Sequence, residues 1–197
     1  MKKIILVAAA ALVVACGTQE KAVTATATET ASMQEEVMEN AKQESMYGDV
    51  LNGNLHGLQN KASFMQAPYS NWFVSGYDNY TPNAEVAAQL KKAMKGVTVK
   101  AFMGTWCGDS QRETPHFYKL METVDVKEKN ITMVSVDRSK SQPVNLVAGN
   151  DISRVPTFIF YKDGKELGRY VEYARESMES DFLKIVTGQD YKHSYQN

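Results

Sequence analysis

Apolar positions along the second half of the chain recur with two different periods. Val86, Ala87, Leu90 and Met94 share one face at helical spacing. Thr81-Pro82-Asn83 precedes them, with Asn83 or Thr81 as the cap, and Gly96 follows them. Residues 97–103 are short, partly alternating and rich in apolar side chains, the pattern of a mostly buried strand. A helix is expected over 109–122, kinked at Pro115 because proline lacks the amide donor and crowds the preceding turn. Residues 131–136 read as a second buried strand and 144–148 as a short helix stopped by Gly149. Residues 157–161 and 166–173 read as two strands joined through Asp163-Gly164, a hairpin turn signal. A last amphipathic helix over 177–186 turns Met178, Phe182, Ile185 and Val186 inward and ends before Gly188. The order is helix, strand, helix, strand, helix, strand, strand, helix.

The regions outside this pattern differ in kind. Tyr69, Trp72, Phe73, Tyr77 and Tyr80 crowd into twelve residues, read as a short extended or irregular packing segment or, alternatively, a platform of rings for substrate. Residues 18–45 are rich in Ala, Thr, Glu and Gln with no aromatic residue, too little apolar area for a core, so this stretch reads as a tether. Residues 34–43 have the composition of a weak helix. The expected organisation is 1–15 as a leader, 16–66 as a tether, 67–190 as the domain and 191–197 as a tail.

The leader opens with Lys2 and Lys3, continues as an apolar run over 4–14 and reaches the small residue Ala15. This run is too short for a mature transmembrane helix. Val13-Val14-Ala15-Cys16 resembles the lipobox of bacterial lipoprotein signal peptides. That resemblance implies cleavage before Cys16, acylation of its sulfur and a membrane anchor in the bacterial cell envelope, with Gly17 favouring the outer membrane. An ordinary secretory signal followed by a chance cysteine is the alternative. The chain carries 22 Lys and Arg against 23 Asp and Glu, a net charge of −1, which argues against nucleic acid and against an anionic membrane surface as an electrostatic partner. It has two cysteines, so a lipidated Cys16 leaves Cys107 without an internal partner.

Cys107 lies in Trp106-Cys107-Gly108-Asp109-Ser110, directly after a strand and at the start of a helix. With Pro115 inside that helix, Val155-Pro156-Thr157 before the next strand and Asp163-Gly164 after it, the region from about 83 to 188 resembles the thioredoxin family. The resemblance implies an α/β fold with a central mixed sheet of about four strands between helices, in three layers. It also implies that Val155 and a cis Pro156 face Cys107. Three positions depart from the family pattern: Ser110 replaces the second cysteine, Ala101 stands at a buried aspartate, and Met133 stands at the lysine paired with that aspartate.

A single sulfur can still do chemistry. Unpaired amides and the helix dipole favour an anion at Cys107, and Ser110 can offer its hydroxyl to that sulfur. Asp109 opposes the anion; Arg112 offsets Asp109, and His116 falls on a similar face as a second tuning group. Trp106, Gly108, Asp109, Val155 and Pro156 are the expected substrate-contacting residues. The expected function is thiol–disulfide exchange or isomerisation on cysteine-containing proteins or small thiols, with release by the substrate's own second thiol or an external thiol reductant. The competing reading is a thioredoxin scaffold that binds partners without redox work. No cofactor is called for. His56, His116 and His193 are scattered around one free cysteine, which gives no metal-ligand spacing.

Overall fold

The computed structural model describes residues 47–196, so the leader, Cys16 and most of the tether lie outside the described residues. The chain forms β1 (Val50–Leu51), β2 (Asn54–Leu55) and β3 (Gly57–Gln59), then α1 (Lys61–Phe64), α2 (Ser70–Asn79) and α3 (Ala84–Ala93). It continues as β4 (Val97–Met103), α4 (Gly108–Thr123), β5 (Ile131–Ser135), α5 (Val144–Val147), β6 (Thr157–Lys162), β7 (Lys165–Val171) and α6 (Met178–Thr187).

The main sheet has the order β3-β5-β4-β6-β7, with β4 and β5 parallel and the other neighbours antiparallel. It therefore has five strands where about four are expected. The additional strand, β3, comes from the stretch assigned to the tether, so folded chain begins before residue 67. It is only three residues long and too short to show a period of its own.

Side chains alternate across the sheet as strands require. Val97, Val99, Ala101 and Met103 enter one apolar cluster with Phe158, Phe160, Phe117 and Phe182, while Phe102, Val134 and Ile159 enter a second on the opposite face. The second cluster is closed by Val147 of α5 and by Val155. The expected caps are present. Asn83 Oδ1 accepts from the Glu85 and Val86 amides, and Gly188 ends α6 at φ 68°, a left-handed conformation suited to glycine. Asp163 and Gly164 both have positive φ, the backbone of a type I′ hairpin turn between β6 and β7.

The aromatic stretch is a ten-residue helix, α2, rather than an extended or irregular segment. Its rings are packing elements. Phe73 is fully buried, stacked on Phe64 at 5.5 Å and edge-on to Tyr118 of α4 at 5.8 Å. Pro115 is accommodated inside a continuous α4, with its ring against Gly76 of α2. A Cβ at position 76 would lie 2.6 Å from Pro115 Cγ, so the glycine sets how closely the two helices approach.

Gly76→Ala should therefore destabilise the domain by about 1–3 kcal/mol through overpacking. The gain of about 1 kcal/mol in helix propensity opposes this cost. Urea unfolding checks the sign: equal or raised stability would contradict the close approach of α2 to α4.

Candidate functional site

The ends of β4 and β6 are brought together by their pairing, in which Phe102 lies opposite Thr157. The loop after β4 and the turn before β6 consequently meet at one edge of the sheet. Cys107 is the N-cap of α4 with an extended backbone (φ −102°, ψ 124°), and no side chain caps the helix. Its half-buried Sγ–H donates to Val155 O at 3.3 Å, and the Val155–Pro156 peptide bond is cis. Thr157 Oγ1 donates to Arg154 O at 2.8 Å and fastens that turn. Gly108 is exposed beside the sulfur and an added Cβ there would meet open space, leaving room for an approaching chain.

Trp106 is locked in place. Its Nε1–H donates to Val136 O at 2.9 Å, and its ring lies so near Gly104 that a Cβ there would fall 2.5 Å from Trp106 Cε2. The Arg138 guanidinium sits over the ring, 5.2 Å from its centroid. Trp106, Cys107, Val155 and Val136 belong to one packed cluster, so the ring and the sulfur share a wall.

Ser110 departs from its expected role. It is fully buried, and its Oγ accepts from the Gly104 amide at 3.2 Å; no bond from its hydroxyl to Cys107 is formed. The helix carries Ser110 inward, where the amide of the preceding loop needs an acceptor. The two expected tuning groups also point elsewhere. Arg112 is held by Asp109 through Nη1 and by Glu113 through Nε, each at 2.7 Å. His116 stacks on Tyr80 at 4.4 Å. Burial depresses the His116 pKa, with the Glu113 charge opposing and Arg112 adding to the fall. Asp109 is thus neutralised by Arg112, while neither Arg112 nor His116 forms a bond with the sulfur among the described residues.

Two features escaped the sequence. The buried Glu113 carboxylate accepts from Tyr170 O–H at 2.8 Å, so the interior beside Ser110 holds an acid on the helix, whereas Ala101 and Met133 face each other as buried apolar neighbours on β4 and β5. Thr105 also anchors the β1–β2 hairpin: its hydroxyl donates to Asn54 Oδ1 and accepts from the Leu55 amide. Only the Asn52-Gly53 turn signal could have located that hairpin.

The 137–142 loop frames the other side of Trp106. Asp137 Oδ1 accepts from the Ser141 and Gln142 amides at 2.9 Å each, and Oδ2 accepts from the Ser139 amide and hydroxyl. Burial raises the Asp137 pKa, but these bonds together outweigh it and hold the group at about 2, against 3.8 ordinarily.

The Thioredoxin family model matches residues 80–184, more than half of the 197-residue chain, and the chain belongs to the thioredoxin family. It is 29% identical over 100 residues to a thioredoxin-like protein of Acanthamoeba polyphaga mimivirus, covering 51% of this chain and 70% of the relative. It is 29% identical over 103 residues to Gallus gallus thioredoxin, covering 52% of this chain and 92% of the relative. Among solved structures, a Pseudomonas aeruginosa protein of unknown function overlays with a TM-score of 0.48 at 16% identity, over 66% of this chain and 92% of that one. The family membership is consistent with thiol–disulfide oxidoreductase chemistry on thiol-containing protein substrates.

The Asp137 pKa is depressed on folding, so its stabilising effect is complete above 3.8 and fades as pH falls through about 2. The amide NMR shifts of Ser141 and Gln142 should hold steady down to that window and move within it. Asp137→Asn should remove the titration; an unchanged profile in that variant would show that another group orders the loop.

Proposed function

We propose that the chain is a thiol–disulfide exchange protein that works through Cys107 alone, tethered by a lipid on Cys16 in a bacterial cell envelope. The observation that carries this reading is the meeting of Cys107 Sγ with Val155 O beside cis Pro156, with a buried serine one turn on. Cys107 is the sole free cysteine of the described residues.

The Cys107 thiolate attacks one sulfur of a substrate disulfide, forms a mixed disulfide and expels the other sulfur as a thiolate. Val155 offers backbone groups to an extended substrate segment, Trp106 lines the rim, and Gly108 and Asp109 border the approach. Ser110 has no sulfur with which to displace the substrate. Release follows when a thiol attacks the substrate sulfur of the mixed disulfide and expels the Cys107 thiolate; the attacker is the thiol just expelled, another substrate cysteine, or an external thiol. The expelled thiol restores the original disulfide, another substrate cysteine gives a new pairing, and an external thiol leaves a mixed disulfide on the substrate that a second external thiol resolves, the two thiols together supplying the two electrons of reduction. A hydrogen bond from the thiol to Val155 O also suits the neutral form, which favours the competing reading as a redox-inactive binding scaffold. The rate of alkylation of Cys107 in the folded chain against the denatured chain separates the two: a faster folded-state reaction supports exchange chemistry.

Mixed disulfides with a scrambled-disulfide protein should accumulate on the native chain and vanish in Cys107→Ala, as read by non-reducing electrophoresis and mass spectrometry. Ser110→Cys should shorten their lifetime without added thiol by closing an internal disulfide. Adducts that persist in Cys107→Ala, or lifetimes unchanged in a folded Ser110→Cys, would overturn the mechanism. Separately, Cys16→Ser should move the protein from the membrane fraction to the soluble fraction of an expressing bacterium; retention in the membrane would overturn the anchor.

A further inference from the structure

Beside Trp106 lies a pocket of about 260 Å³, whose lining includes Leu51, Asn54, His56, Trp106, Asp137 and Arg138. Its two walls are the β1–β2 hairpin and the start of the 137–142 loop, and both are fixed in position. Tyr69 O–H donates to Gly53 O, and Thr105 joins the hairpin to the loop that carries the sulfur. Four bonds to Asp137 hold the opposite wall.

The polar groups facing this space are unevenly satisfied. The Asp137 oxygens are turned into their own loop. Arg138 makes no ion pair among the described residues and lies over the Trp106 ring. His56 also lines the pocket, but its Nε2 is enclosed, closed to solvent and without a hydrogen-bond partner. A guanidinium free of carboxylate partners at the wall of this pocket suits an anionic oxygen ligand. Trp106 both lines the pocket and packs with Cys107, so a carboxylate on a residue next to the substrate's cysteine is the anion placed to meet Arg138.

Resting on the reading of Cys107 as the nucleophile, we infer that this pocket is a specificity subsite that takes the carboxylate of an acidic residue flanking the substrate's cysteine. The binding role falls to Arg138, which lies over the Trp106 ring that packs in one cluster with Cys107. The step it assists is unchanged: Cys107 sulfur bonds to the substrate sulfur and the leaving thiolate departs.

The test uses the full chain with Cys16→Ser, so that Cys107 is the single thiol. Three blocked peptides, Glu-Cys-Glu, Gln-Cys-Gln and Lys-Cys-Lys, carry their cysteine as the disulfide of 5-thio-2-nitrobenzoate. Attack by Cys107 on the peptide sulfur joins the peptide to the protein and releases the coloured thiolate. The Glu peptide should react about three- to tenfold faster than the Lys peptide at low salt, a preference that shrinks as salt is added. Arg138→Gln should bring that ratio close to one, and Arg138→Lys should restore part of it. Equal rates for Glu and Lys peptides on the parent chain, or a ratio unmoved by Arg138→Gln, would overturn the subsite.

A non-covalent arm keeps the subsite separate from the nucleophile. In the Cys107→Ser variant, serine-containing versions of the same peptides are titrated by NMR, reading the Trp106 indole and His56 resonances. Preference for the Glu peptide, lost in Arg138→Gln, supports the pocket even if no peptide reacts with Cys107, which would instead overturn the proposed exchange. Absence of that preference overturns the pocket while leaving exchange standing. Adduct formation with 3,3′-dithiodipropionate against cystamine, scored by mass, tells whether small acidic disulfides share the subsite with peptide segments; Arg138-dependent selection in the peptides alone assigns it to protein substrates, and in both to either source.

Discussion

The antiparallel pairing of β4 with β6 is the constraint on which the site depends. It sets Phe102 opposite Thr157, so the chain leaving one strand and the chain entering the other must meet. Cys107 and Val155, 48 positions apart, are brought within a hydrogen bond by that register alone. A one-residue slip of β4 would send Phe102 into the aromatic cluster and Val99, Ala101 and Met103 to the opposite face, which the packing of both faces forbids. Packing therefore specifies the chemistry: the same alternation that fills two cores delivers the sulfur to the proline turn.

Below that edge the interior has been rebuilt around a different distribution of charge. Ala101 and Met133 make the sheet apolar under the helix, and the buried acid is Glu113, on the helix and tied to Tyr170. A buried carboxylate needs donors, and Tyr170 and Arg112 supply them. Arg112 is thereby drawn to Asp109 and Glu113, which explains why it does not reach the sulfur. His116 is likewise drawn aside by stacking on Tyr80.

Much of this was legible beforehand because long periodic segments state their own structure. The order from 83 to 188, the Asn83 cap, the Asp163-Gly164 turn and the proximity of Cys107 to Val155-Pro156 all followed from pattern or resemblance. The failures have physical causes. Tyr69, Trp72, Phe73, Gly76 and Tyr77 fall at helical spacing, yet the concentration of rings and a gap at the glycine hid the period that α2 uses to pack on Pro115. β3 is three residues long and owes its existence to pairing with β5, a long-range contact with no local signature. Arg138 was invisible as a binding group because the pocket that it lines is made by a hairpin and a loop about eighty residues apart in the chain.

Ser110 gives the arrangement a different character from a two-sulfur centre. Its oxygen satisfies the Gly104 amide at the root of the loop that carries Trp106 and Cys107, and it is wholly enclosed. The position has become a joint in the framework instead of a reagent. On the proposed chemistry, the clock that ends each encounter then lies outside this chain, in the thiols of whatever molecule it has caught.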